Sequence, residues 1–309
     1  MKLVTTPAIR TALFIFDKVL IEHSNISVNP APADTGIVFK RNDLKVSHGD
    51  TIIKANYQNV IKSDLCTKIA NENNISVSTI EHIMSAFHGM KIDNAIVELD
   101  TDEMPILDGS AVEYVRGIES VGVKYLSSKK KIIRILRPII FRNNESYIKV
   151  QPSEEFQIDY TINYDHQSIK TQQFSFNLDQ EIDYKKIISN CRTFGFKHEV
   201  DYLREKGLIA GGSFDNAIVL DDHGIMNKNP LRQEKEFVKH KILDFIGDIF
   251  LLGSSIKGSF EIYKGGHRLT HDLMKSIMSD DSNWIFEDHT PYNLKLKNID
   301  YIEEVSVAI

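Results

Sequence analysis

The sequence predicts an α+β protein built from two related domains. Three observations lead there. Short strand-like runs alternate with amphipathic helices along the whole chain. The order helix, glycine break, strand, turn, helix occurs once in each half. A polar, basic stretch at residues 127–131, ending in Lys129-Lys130-Lys131, separates the two apolar-patterned halves. The predicted boundaries are residues 1–127 and 128–309, and 309 residues suffice for two domains of ordinary size. The lysine run itself reads as a solvated linker.

In the first half, Thr51-Ile52-Ile53-Lys54-Ala55 reads as a strand and residues 80–88 as a helix. Ile80, Ile83, Met84 and Phe87 fall at i, i+3, i+4 and i+7, the spacing of one buried face. Gly89 is the expected stop. Ala95-Ile96-Val97-Glu98-Leu99 follows as a strand, and Asp108-Gly109 as a turn before another helix. In the second half, strands rich in Ile and Val cover residues 132–162, and a long helix covers about 233–252. A strand at 259–263, a Gly265-Gly266 turn and a helix at about 270–278 close the pattern. Between them lies an insert at about 191–224, with a helix at 197–206 stopped by Gly207, then Gly211-Gly212 and a strand at 217–220. Glycine-rich inserts of this size often shape a ligand pocket.

The bulk numbers exclude several function classes. A formal net charge of -6 argues against non-specific nucleic-acid binding, which needs a clustered positive surface. Two isolated cysteines, Cys66 and Cys191, make neither a disulfide framework nor a Cys-based zinc site, and fit a reducing compartment. The N-terminal apolar patch at residues 12–16 reads as a strand rather than a signal peptide. No apolar run approaches the roughly 20 residues that span a bilayer. A cytoplasmic monomer without an integral membrane segment is the expectation.

Three polar constellations stand out. In Ser78-Thr79-Ile80-Glu81-His82, Ser78 and Glu81 have capping-box spacing, and His82 falls on the face opposite Ile80 and Phe87. His240, Asp244 and Asp248 lie at i, i+4 and i+8 and form one helical stripe. A plain amphipathic helix would turn that stripe to water. However, Phe237 and Leu251 lie on the same side and would be exposed with it, and Gly247 leaves room for something to approach. His and Asp one turn apart can share one metal ion, and a catalytic zinc needs three protein ligands plus an open position. His82, beside a carboxylate, is the best third candidate. His267, after Gly265-Gly266, reads as sitting on a flexible turn. With 11 histidines in the chain, each of these also has a bland reading as a solvated or capping side chain.

Taken together, the ordered segments resemble the UDP-3-O-acyl-N-acetylglucosamine deacetylase family of the lipid A pathway. The resemblance runs from Pro30-Ala31-Pro32-Ala33-Asp34-Thr35-Gly36 to near His271. It includes Leu65-Cys66-Thr67, Ser78-Thr79-Ile80-Glu81-His82, Lys91-Ile92-Asp93-Asn94 and Pro105-Ile106-Leu107-Asp108-Gly109-Ser110. It continues with Arg192-Thr193-Phe194-Gly195-Phe196, Gly211-Gly212-Ser213-Phe214-Asp215-Asn216-Ala217, residues 240–248 and Gly266-His267. The resemblance implies two-layer domains, sheet packed on helices, with the active site between them and a small inserted subdomain in the second.

It also implies a zinc amidohydrolase acting on a UDP-linked, 3-O-acylated N-acetylglucosamine. His82, His240 and Asp244 resemble the zinc ligands, Glu81 the general base and His267 the acid for the leaving amine. Asp248 would orient His267, Thr193 would help hold the oxyanion, and Lys241 would favour negative charge nearby. Leu65 and Cys66 match positions at the edge of the site. Phe194 and the segment containing Gly212, Ser213 and Ala217 resemble the lining of an acyl-chain passage. One departure stands out: the family's Gly-x-Gly-Leu-His segment before the Pro-Ala-Pro stretch is replaced here by residues 14–23, without those glycines and with His23 displaced. That departure motivates a second reading, a paralogue acting on another acylated amino sugar. A third is a non-catalytic sugar-nucleotide binder.

Overall fold

The structure, a computed structural model, describes residues 6–9, 25–62, 65–126, 128–178, 181–199 and 213–289. Helix and sheet are mixed throughout, as expected of an α+β chain. The first half runs β1 (Thr6–Ile9), β2 (Ile26–Pro30), β3 (Ile37–Arg41), β4 (Ile52–Lys54), β5 (Val60–Ile61), β6 (Lys68–Ala70) and β7 (Ser76–Val77). Then come α1 (Glu81–Gly89), β8 (Ala95–Leu99), α2 (Val112–Val121) and β9 (Val123–Leu126). Strands β2, β8, β3 and β4 form one sheet in that order, β5, β6 and β7 a second, and β1 pairs with β9. β8 sits between β2, antiparallel, and β3, parallel. Its alternation buries Ala95, Val97 and Leu99 in a core that also holds Phe39, Ile53, Ile83 and Phe87.

The second half supplies β10 (Lys130–Ile135), β11 (Ile139–Asn143), β12 (Ser146–Gln151), β13 (Phe156–Asn163), β14 (Thr171–Asn177), β15 (Phe194–Phe196), β16 (Ile218–Asp221) and β17 (Gly224–Ile225). Helix α3 (Glu236–Ile249), β18 (Ser255–Tyr263), α4 (His267–Met278) and β19 (Trp284–His289) complete it. Strand β18 organises a seven-stranded sheet: its start runs parallel to β10, and its remainder lies between β12 and β13. The insert contributes a small three-stranded sheet, β15-β16-β17. A helix begins at residue 197 as expected, and residues 200–212, which include Gly207, Gly211 and Gly212, lie outside the described residues. No helix among the described residues is long and apolar enough to cross a membrane.

Helices α1 and α3 have almost no water-facing side. Every residue of α1 is buried, and every residue of α3 except Lys241. The polar stripe of α3 therefore faces protein. α3 begins later than residue 233 because Lys235 adopts a left-handed conformation (φ 57°) and Glu236 is drawn to Arg192, whose Nε lies 2.9 Å away.

Gly89 ends α1 as expected, and close packing requires the glycine: a Cβ there would lie 2.3 Å from the Tyr184 ring. The left-handed residue that turns the chain is Lys91, with φ 58°. The Lys129–131 run is solvated at Lys129 and Lys131 as expected, but not at Lys130. Lys130 opens β10 and pairs with the largely buried Asp93 at 2.7 Å, while burial raises the Asp93 carboxyl against the pull of Lys130.

His88 ties α1 to α3. Its Nδ1 donates to the Ile246 carbonyl at 3.0 Å, and its ring stacks on Phe250 at 4.5 Å and on Phe156 at 5.3 Å. Burial pushes the imidazole down to about 3, with the Lys91 charge helping and the Ile246 carbonyl opposing. The neutral ring's contribution is complete above the unfolded value of 6.5 and is lost as pH falls from there toward 3. A His88→Phe variant is expected to lose about 2 kcal/mol less stability than the parent between pH 8 and 5. Urea unfolding at several pH values reads this directly, and parallel curves would refute it.

Candidate active site

The approach to α1 places its first two residues. Ser78 does not cap the helix: its hydroxyl donates to the Asp102 carbonyl, and Ile80 is the capping residue, with no side-chain bond. Thr79 is held left-handed (φ 58°) while its hydroxyl donates to Glu103 at 2.7 Å. The capping box is thus absent, and the Glu81 carboxylate is turned inward, accepting the Thr67 backbone N–H at 3.0 Å.

α1 meets α3 at Gly247. A Cβ at that position would lie 2.0 Å from the Glu81 carbonyl oxygen and 2.9 Å from the Ser85 nitrogen. What Gly247 admits is therefore the backbone of α1 itself. This contact brings His82 against the α3 stripe. His240 Nε2 lies 3.3 Å and His82 Nε2 3.7 Å from Asp244 Oδ1, with the two imidazoles edge-on at 5.2 Å. Donor atoms of His82, His240 and Asp244 all fall within 4.8 Å of one another.

The electrostatics suit a cation in this cluster. Burial pushes the His82 imidazole down to about 3, His240 adds to that, and His240 is itself lowered by burial. Both rings therefore offer neutral lone pairs. Burial would raise the Asp244 carboxyl, but His240 and Lys241 hold it well below the usual carboxylate range. His240 Nδ1 donates to the Cys191 carbonyl at 3.1 Å, which leaves Nε2 free for a metal. His82 Nδ1 is buried without a hydrogen-bond partner. Two imidazole nitrogens and one carboxylate form a donor set that zinc accepts, with a position left open.

Beside the cluster stands an acid–base pair. His267 is the first residue of α4, so it sits on a helix terminus and not on a flexible turn. A Cβ at Gly265 would lie 2.6 Å from the Tyr160 hydroxyl, so this glycine serves close packing. His267 Nδ1 donates to Asp248 Oδ2 at 2.8 Å, and Nε2 lies 4.0 Å from Glu81 Oε1. Burial and the positive end of α4 both work against an imidazolium here, yet the Asp248 carboxylate overcomes them and raises His267 to about 9. Burial pushes Glu81 up to about 7, opposed by His267 and assisted by Asp248 and Asp244. His267 and Asp248 line a cleft of about 530 Å³, walled also by Ile61, Cys66, Thr67 and Lys275.

Residues 21–279 match the family of UDP-3-O-acyl N-acetylglycosamine deacetylases. This chain belongs to that family. Among its relatives are UDP-3-O-acyl-N-acetylglucosamine deacetylases of Teredinibacter turnerae, 43% identical over 84% of both chains, and Idiomarina loihiensis, 42% identical over 85% of both. A third, from Syntrophus aciditrophicus, is 42% identical over 84% of this chain and 81% of its own. The divergent stretch at residues 14–23 begins before the family match and lies outside the described residues.

Of the other expected site residues, Lys241 and Phe194 lie against the donor cluster. Lys241 Nζ donates to Asp244 Oδ2 at 2.7 Å. The Phe194 ring lies 6.4 Å from His240 and packs edge-on against Phe237 at 5.0 Å. Thr193, one residue earlier, is pinned on both sides: its N–H donates to the Gly109 carbonyl at 2.7 Å, and its carbonyl accepts from Ile218 at 2.8 Å. Cys66 lines the cleft, and its neighbour Leu65 is exposed. Ser213 and Ala217 lie in a turn before β16, stitched by Asn216 and Asn227. Thr67, read only as part of the Leu65-Cys66-Thr67 match, is given no role by the sequence. It touches Glu81, Asp248 and His267, and no local spacing signals those partners.

Proposed function

We propose that this family member hydrolyses the acetamide of a UDP-3-O-(3-hydroxyacyl)-N-acetylglucosamine, giving the free amine and acetate. The observation that carries the reading is the pairing of Glu81 with His267, 4.0 Å apart, beside the three converging donors His82, His240 and Asp244. Those donors would hold zinc, which when bound supplies Lewis acidity toward the amide carbonyl and toward water. Glu81, lifted toward neutrality, takes the proton of the attacking water. Thr193 offers its hydroxyl to the oxyanion, from a backbone held at both ends. As the carbon–nitrogen bond breaks, His267 gives its proton to the departing amine, and Asp248 keeps it charged until then. Lys241, bonded to Asp244, adds positive charge beside the reacting carbonyl. No covalent enzyme intermediate is needed.

On this reading Leu65 and Cys66 flank the sugar, while Phe194, Gly212, Ser213 and Ala217 belong to the acyl passage. The two-domain division at residues 127 and 128 belongs to the same reading. In its support, each paired strand among the described residues finds its partners in its own half. A nucleotide-linked substrate supports a cytoplasmic enzyme acting in lipid A synthesis, which the same reading takes to be a monomer.

Acetate release from this substrate is the test. Treatment with a chelator is expected to abolish release, and stoichiometric zinc to restore it. Undiminished turnover by protein shown to be metal-free would refute the metal assignment, and no turnover by the zinc-loaded enzyme would refute the substrate.

A further inference from the structure

We infer that Thr67 is a positioning residue for this reaction, fixing the base through its backbone N–H and the acid through its hydroxyl. The inference rests on the deacetylase reading above. Glu81 stands on α1, Asp248 on α3 and His267 on α4, and Thr67 reaches all three from the segment entering β6.

Its own backbone is anchored at the site. The Thr67 carbonyl accepts the Ile80 N–H at 3.4 Å, and its N–H donates to Glu81 Oε2 at 3.0 Å. That second bond occupies Oε2 and leaves Oε1 as the oxygen facing His267. The hydroxyl donates to Asp248 Oδ1 at 2.5 Å, a short bond of the kind made to a charged acceptor. Asp248 Oδ2 takes the His267 Nδ1–H at 2.8 Å. Each oxygen of this buried carboxylate thus has its own donor, so the carboxylate cannot rotate without breaking one bond. The hydroxyl oxygen also lies 3.2 Å from His267 Nδ1, so it faces the imidazole as well as the acid that orients it. Groups that orient site residues in this way commonly change activity by about 10–100-fold when removed.

Thr67→Val keeps the shape and the backbone N–H and removes only the hydroxyl. With the zinc-loaded enzyme, kcat for acetate release is expected to fall about 10–100-fold, with KM changed less than about twofold. The alkaline limb of the kcat profile, set by His267, is expected to move to higher pH, because the Asp248 carboxylate, no longer sharing its charge with the hydroxyl, accepts more strongly from the ring. Thr67→Ser restores the hydroxyl, and is expected to recover at least about half of kcat and the parent profile. Thr67→Ala reads the same effect should the valine variant fail to fold. An unchanged kcat in a folded, zinc-loaded valine variant overturns the inference, as does a serine variant as impaired as valine. A zinc-loaded parent that releases no acetate overturns the deacetylase reading and this inference with it, whereas an active parent isolates the inference.

Discussion

Gly247→Ala is expected to destabilise the protein by about 3 kcal/mol and to lower deacetylase activity at least about 100-fold. In an unconstrained helix the same change gains about 1 kcal/mol, because alanine is the better helix former. Here the added methyl would meet the Glu81 carbonyl oxygen at 2.0 Å and the Ser85 nitrogen at 2.9 Å, both backbone atoms that cannot rotate aside. Relief requires α1 and α3 to separate by about 1 Å. The donor set straddles that seam, with His82 on α1 and His240 and Asp244 on α3. Metal–ligand distances tolerate only about 0.2 Å, so zinc content should fall below one per chain. Urea unfolding with metal analysis checks both effects together. A variant as stable and as fully loaded as the parent would show that the seam gives more easily than its geometry implies.

Glu81→Gln and His267→Ala are each expected to lower kcat by about 10²–10⁴-fold while leaving zinc content intact, since neither belongs to the donor set. Glutamine keeps an oxygen for the Thr67 N–H, so the loss would report the missing base and not a collapsed contact. The double variant should lose less than the product of the single losses, because both residues serve one proton path. In the proposed mechanism His267 acts as an acid in its protonated form. Activity is therefore present below its value of about 9 and lost as pH rises through it. Asp248→Asn removes the charge that raises His267 and should shift this limb downward. Full activity in a Glu81→Ala, His267→Ala double variant would rule out this chemistry.

Much of the site was legible because it is local. His240, Asp244 and Asp248 share a face by helical period alone, and β8 occupies the strand read at Ala95-Ile96-Val97-Glu98-Leu99. The misreadings share one cause, a partner far along the chain. Ser78 and Glu81 have capping-box spacing, but the Asp102 carbonyl and the Thr67 N–H compete for them and win. The lysine run looked solvated until Lys130 met Asp93. Thr67 belongs to a matched segment but is given no role, since its contacts lie 14, 181 and 200 residues away.

By itself, then, the sequence determined which donors and proton carriers this protein owns and which of them share a helix face, because side-chain chemistry and helical period are local properties. Only the tertiary structure decided that a backbone contact at Gly247 presses α1 onto α3 and completes the three-donor cluster. It also decided the ionisation of the pair, raising Glu81 to about 7 and His267 to about 9. Both values depend on burial and on charges carried by other elements, and no stretch of chain contains them until the helices meet.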